Sequence, residues 1–181
     1  MARLRKQKAR RFGPPKKKLW LVIGGLFLLT LLLLRFWPLG PVFKEPLSPV
    51  LFSEEGQLLG ARLAADGQWR FPRREKIPEK YFKAVLQFED QRFYLHPGVD
   101  PLAVARALWQ NLRAGEVKSG ASTITMQLAR LVEKNRRRTL EQKIREAILA
   151  LRLEFHFSKK EILSLFADQA PFGRNIVGIN A

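Results

Sequence analysis

Apolar positions follow three different rhythms along this chain, and each predicts a different kind of structure. From Leu19 to Leu34 no charged residue and no polar face appears; Arg35 interrupts the run, which resumes as Phe36-Trp37-Pro38-Leu39. A segment apolar all round belongs in lipid or in a deep core rather than on the surface of a soluble domain. Its sixteen uncharged residues fall short of the ~20 a spanning helix needs. Arg35 can snorkel, however, and Phe36 and Trp37 suit the membrane interface. Residues 19–39 are therefore expected to form one transmembrane anchor. A cleaved signal peptide is the rival reading. The apolar core is long for one, and Pro38, Gly40 and Pro41 stand where a small-residue cleavage site would be.

The second rhythm is short and broken by turns. Three prolines between residues 38 and 48 read as a linker. Glu55-Gly56 and Asp66-Gly67 then separate three brief apolar runs: Pro49 to Phe52, Leu58 to Leu63, and Trp69-Arg70-Phe71. These predict short strands, so residues 40–75 form a linker and small β segment.

From residue 76 onward the rhythm is helical. Pro78 can open a helix carrying Phe82, Val85 and Leu86. Asp100-Pro101 is an N-cap carboxylate followed by proline at the first helical position, and Gly115 suits the far end. Leu102, Ala105, Leu108, Trp109 and Leu112 make the apolar face between them, expected to be mostly core with some side chains dipping into lipid beside the anchor. A third helix is expected from Ser122 to Val132, and a fourth from Thr139 with Gln142 as capping partner. Leu140, Ile144, Ala147, Ile148, Leu151 and Phe155 run as one stripe along the fourth. A fifth begins at Ser158 with Glu161 completing a capping box. The class predicted is mainly α, with a short β-rich lead-in and one N-terminal transmembrane helix.

Charge refines this picture. The chain of 181 residues has 33 basic and 16 acidic side chains, a formal excess of +17. Such an excess usually signals an anionic partner. Nine of the basic residues lie within residues 1–18, which hold no acid. That tail is expected to stay in the cytoplasm by the positive-inside rule, with residues 42–181 on the other side of the membrane. Topology thus accounts for much of the charge, and a nucleic-acid partner is not expected. There is no cysteine, which excludes disulfides and thiolate metal sites.

Four segments concentrate chemistry: residues 89–100, 120–130, 138–154 and 160–178. The first reads Glu89-Asp90-Gln91-Arg92-Phe93-Tyr94-Leu95-His96-Pro97-Gly98-Val99-Asp100, and the second includes Gly120-Ala121-Ser122-Thr123-Ile124-Thr125-Met126-Gln127-Leu128. In order and spacing these resemble the family 51 glycosyltransferases, the module of class A penicillin-binding proteins and of monofunctional peptidoglycan glycosyltransferases. The first motif of that family, Glu-Asp-x-x-Phe-x-x-His-x-Gly-x-Asp, is matched at every fixed position. In the second, Gly-x-Ser-Thr-Ile-Thr-Gln-Gln-Leu, Met126 replaces the first Gln. The resemblance covers about residues 45–181 and implies a lysozyme-like helical domain over residues 76–181, incomplete at its C-terminus.

It also implies an activity: inverting transfer that polymerises lipid II into β-1,4 glycan strands and releases lipid pyrophosphate. Lipid II, the growing glycan chain, the membrane and cell-wall synthesis proteins are the partners implied, and the bacterial cytoplasmic membrane the location. No cofactor is required; a divalent metal, Mg or Mn, is compatible with the reaction. Such chemistry needs a base for the attacking hydroxyl and cations for the departing pyrophosphate. The resemblance puts the base on Glu89 and a second functional carboxylate on Glu146, with phosphate contacts on Arg130 and Arg138. Asp90, Phe93, His96, Ser122, Thr123, Gln127 and Lys143 complete the substrate-binding set it implies. Glu146 lies off the Leu140–Ile148–Leu151 stripe, which would leave it free to face a cleft.

Plainer readings stand beside these. Asp100 is a convincing helix cap whatever the activity, and Ser122 and Thr123 can cap the third helix. Asp90 and His96 can serve only to hold their loop. Arg136, Arg137 and Arg138 can be a solvated charge run, and Glu146 an exposed residue paired with Lys143. The chain also departs from the family. Gln142-Lys143 stands where Arg-Lys is usual, and Ile162-Leu163-Ser164-Leu165-Phe166-Ala167-Asp168 where Ile-Leu-Glu-x-Tyr-Leu-Asn is usual. The family continues beyond the equivalent of Ala181. An inactive, membrane-anchored remnant that binds lipid-linked sugar is accordingly the alternative, with an apolar patch at Ile162, Leu163, Leu165 and Phe166 expected to lie open.

Overall fold

The computed structural model describes residues 17–73, 77–118, 120–134 and 139–181. It contains two compact units, residues 1–37 and 38–181. In the first, helix α1 (Lys17–Phe36) carries an apolar stretch, Leu19–Phe36, long and apolar enough by length and composition to cross a membrane.

The second unit opens with β1 (Val50–Phe52) and β2 (Leu58–Ala61), paired antiparallel with an irregularity between Leu51 and Phe52. Helices α2 (Glu79–Glu89), α3 (Pro101–Ala114), α4 (Ile124–Glu133), α5 (Leu140–His156) and α6 (Lys159–Gln169) follow, and a hairpin of β3 (Pro171–Gly173) and β4 (Ile176–Val177) comes after them. The third apolar run of the lead-in does not extend the first hairpin. Trp69 bridges in parallel to Ile176: its N–H donates to the Asn175 carbonyl at 2.7 Å, and its own carbonyl accepts from Val177 at 2.9 Å. The lead-in is thereby stitched to the segment that follows α6.

The caps act locally as their residue types dictate. The Asp100 carboxylate accepts from the N–H groups of Leu102 and Ala103, and Gly115 closes α3 in the left-handed conformation at φ 70°. Thr139 caps α5 through the Gln142 N–H, and Ser158 and Glu161 form a reciprocal capping box on α6.

Helix α4 is the centre of the unit. It packs on α5 and α6, and Ile124, Thr125, Met126, Leu128 and Ala129 are all buried. Met126 is only 3% exposed, so an apolar side chain at this variant position suits its surroundings. Phe93, Leu153 and Ile162 complete the innermost layer.

The expected burial of the α3 face and the expected open patch on α6 are both corrected. The apolar stripe of α3 lies exposed at Leu102, Leu108, Trp109 and Leu112, and that of α5 is exposed at Leu140, Ile144, Ile148 and Phe155, while Ala147 packs against the core. The buried line of α5 is instead Gln142, Glu146, Ala150 and Leu153. A charge can occupy that line because α4 supplies its counter-ion, described below. The second correction concerns α6. Ile162, Leu163 and Phe166 are buried and Leu165 is half-buried, so the expected open patch is closed by packing on α4 and α5.

Candidate active site

The loop from Asp90 to Asp100 is a hydrogen-bonded unit rather than a free strand of reactive groups. Asp90 is buried, and its carboxylate faces His96 Nε2 at 3.0 and 3.1 Å. The Gly98 N–H donates to His96 Nδ1 at 3.2 Å. With Nδ1 accepting, the ring proton sits on Nε2 and points at Asp90. The other Asp90 bond comes from the Ile124 N–H at 3.1 Å, which ties the loop to the first turn of α4. Thr123 caps that turn through the Met126 N–H and donates its own hydroxyl to the Gly98 carbonyl.

The loop is buttressed from beneath. Lys159 Nζ donates to the His96 carbonyl and to Glu154, each at 2.7 Å, and lies 4.2 Å from the centre of the buried Phe93 ring. Thr125 donates to the same Glu154 oxygen at 2.6 Å. Gly98 has φ +95°, and a Cβ there would stand 2.9 Å from the Ala150 carbonyl oxygen. Glycine is required here both for the left-handed backbone and for the close approach to α5. Lys159 carries no motif signal, and Thr125 and Glu154, though inside the second and third segments, had no role assigned to them. They became identifiable only when α5 and α6 came together beneath the loop.

Above this buttress, Glu89 ends α2 and is exposed. Its Oε2 accepts from Gln127 Nε2 at 2.6 Å. Glu89 lines an open cavity of about 230 Å³, together with Arg92, Arg106, Ser122 and Thr123. Arg92 is committed to the buried Asp100 at 2.6 Å.

One helical turn along α4 from Gln127 stands Arg130. Its Nε and Nη2 donate to the two oxygens of Glu146 at 2.7 and 2.9 Å, a two-pronged fork. Glu146 is 1% exposed, whereas the Arg130 side chain is 36% exposed. Glu146 is thus neither cleft-facing nor paired with Lys143; it is a buried carboxylate closed off by Arg130. Its hydrogen bonds to Glu146 also hold the Arg130 proton more tightly than usual. Arg130 borders a second cavity of about 580 Å³, with Lys134, Arg174, Arg70, Glu45 and Asp66 around it. Burial alone would raise the Glu45 pKa, but the Lys134 ammonium at 2.9 Å holds it below the usual range.

The structure thus gathers Glu89, Gln127, Arg130 and Glu146 along one edge of α4. Asp90, Phe93, His96 and Thr123 lie buried beneath that edge, and Ser122 is half-buried at the smaller cavity. Lys143 is exposed on α5. Arg138 lies outside the described residues.

The family model for the transglycosylases matches residues 56–181, so this chain belongs to the transglycosylase family. Among individual proteins it is similar to penicillin-binding protein 1C of Escherichia coli (strain K12), with 41% identity over 171 residues, 92% of this chain and 22% of that protein. It is also similar to penicillin-binding protein 1A of Aquifex aeolicus (strain VF5), with 45% identity over 107 residues, 59% of this chain and 15% of that protein. Penicillin-binding protein 1B of Vibrio cholerae is 42% identical over 105 residues, 58% of this chain and 14% of that protein. The chain therefore spans no more than about a quarter of the length of these curated relatives.

Proposed function

We propose that this chain is the lysozyme-like catalytic module of a peptidoglycan glycosyltransferase, which polymerises lipid II into β-1,4 glycan with inversion. The observation that carries the reading is the α4 edge. Gln127, which holds the exposed Glu89 carboxylate, and Arg130, suited to phosphate oxygens, stand three residues apart on α4, about 4.5 Å along the helix. In the proposed step the acceptor hydroxyl transfers its proton to Glu89 as its oxygen bonds to the donor's anomeric carbon. The anomeric C–O bond breaks, and its electron pair leaves with the lipid pyrophosphate. Arg130, with Arg138 and Lys143, binds that developing charge.

Glu146 acts through Arg130. Gripping two nitrogens of the guanidinium fixes its plane and leaves the remaining donors for the ligand. Asp90, His96 and Thr123 hold the loop that follows Glu89 against the first turn of α4, with Phe93 as its apolar anchor; Ser122 and Gln127 would meet sugar hydroxyls. No cofactor is required, and Mg or Mn is compatible. The apolar helix α1 and the exposed ridge of Leu102, Trp109 and Leu112 on α3 support a membrane location, with the N-terminus cytoplasmic and the catalytic unit outside. The reading brings with it lipid II, the growing glycan and cell-wall synthesis proteins as partners.

The test is polymerisation of lipid II by the purified chain in detergent or lipid nanodiscs. Glu89→Gln is expected to lower turnover by roughly 10²–10⁴-fold, the usual worth of a general base, while lipid-pyrophosphate binding persists. Wild-type turnover in Glu89→Gln would refute the assignment. Binding without turnover in the wild-type chain would favour the non-catalytic alternative.

A further inference from the structure

The smaller cavity contains a cation that these roles leave unused. Arg106 stands on α3 one turn after Ala103, and both line the cavity that holds Glu89, with Gly120, Ala121 and Ser122 among its other walls. Its position is fixed by its neighbours: Ala107 is buried beside it, and Asp100 caps the helix. Arg92 shares the cavity but is neutralised by Asp100. Arg106 is exposed and makes no hydrogen bond or ion pair with any described residue.

If lipid II is polymerised, donor and acceptor both carry a pyrophosphate. The donor's departs, and its developing charge falls to Arg130 in the larger cavity. The acceptor keeps its own, and its hydroxyl must reach Glu89 in the smaller cavity. We propose that Arg106 is the acceptor-side anion site, binding an oxyanion on the molecule that Glu89 deprotonates; this rests on the function proposed above. The acceptor's oxyanion has the same charge before, during and after transfer. A contact to it therefore contributes equally to ground and transition states and should appear in KM rather than kcat. Arg130, facing charge that develops in the reaction, should show the opposite pattern.

The experiment supplies donor and acceptor separately to the 181-residue chain in nanodiscs. The acceptor is a lipid-pyrophosphate disaccharide whose anomeric oxygen is replaced by methylene, so that it can accept but not donate. Arg106→Ala is expected to raise KM for this acceptor roughly 10–100-fold, the worth of one charge-assisted hydrogen bond. The kcat, the donor KM and the thermal midpoint should stay near wild type, and Arg106→Lys should recover part of the loss. A neutral alkyl glycoside acceptor should not distinguish Arg106→Ala from wild type. Alkyl glycosides bearing either a phosphate or a carboxylate then identify which oxyanion is read. Equal penalties on neutral and anionic acceptors, or a fall confined to kcat, overturn the proposal. Absence of turnover in the wild type counts against the proposed function instead. In that event binding of the methylene acceptor decides: selective weakening by Arg106→Ala supports the site, and no weakening, or equal weakening by Arg130→Ala, overturns it.

Discussion

Removing Arg130 should destabilise the domain as well as impair the reaction, because Glu146 would remain buried without its counter-ion. Glu146 is 1% exposed and both its oxygens are taken by Arg130, at 2.7 and 2.9 Å. Breaking a fully buried pair from one side costs about 3–5 kcal/mol. The Arg130 side chain is 36% exposed, so water can reach the stranded carboxylate and the expected cost falls to about 2–3 kcal/mol. That is a large share of a typical ~5–15 kcal/mol and corresponds to roughly 6–12 °C in a unit of this size. Thermal unfolding followed by circular dichroism would measure it for Arg130→Ala. The companion is Arg130→Ala with Glu146→Leu, which places an apolar side chain beside Ala150 and Leu153 on the buried line of α5. An apolar residue of similar volume needs no counter-ion, so the double variant should return to within about 1 kcal/mol of wild type while staying catalytically impaired. A double variant as unstable as Arg130→Ala alone would refute the view that a stranded charge causes the loss.

Other outcomes follow from the same geometry. Gly98→Ala combines a left-handed backbone with a Cβ 2.9 Å from the Ala150 carbonyl oxygen; a loss of about 2 kcal/mol or more in urea unfolding is expected. Gln127→Ala releases Glu89 from its 2.6 Å hydrogen bond and removes a proposed sugar contact, and should lower kcat/KM without disturbing the thermal midpoint. Glu45, held low against burial by Lys134, contributes stability above the ordinary carboxylate range that is lost as pH falls through its folded value. Glu45→Gln should therefore remove part of the acid-side decline in unfolding free energy, by less than about 1 kcal/mol because Lys134 is exposed. Asp168 runs the other way: burial raises its pKa against the opposing pull of Arg73. Its contribution is present at low pH and fades as pH rises through the raised value, so Asp168→Asn should flatten that fall in a pH series of melting temperatures.

Local physics in the sequence was enough to locate much of this protein. Asp100-Pro101, Gly115, Thr139 and Ser158 with Glu161 are read correctly as helix ends because a cap is decided within four residues of chain. The apolar run from Leu19 is legible for the same reason, since its meaning depends on length and composition rather than on a partner. Motif spacing singled out Glu89, Arg130 and Glu146 as residues to examine. The tertiary structure alone decided what surrounds them. Periodicity showed that α3 and α5 each have an apolar face, but a face does not state what covers it, and most of both lies exposed. Glu146 looked like a solvent-facing carboxylate because its burial depends on a cation sixteen residues earlier, brought to it by the packing of α4 on α5. The division of Glu89 and Arg130 between two cavities, and the entry of Arg106 into one of them, likewise depend on contacts between distant parts of the chain. Caps, spans and turns are properties of short segments, whereas burial, charge pairing and cavity walls belong to pairs of segments and exist only once those segments meet.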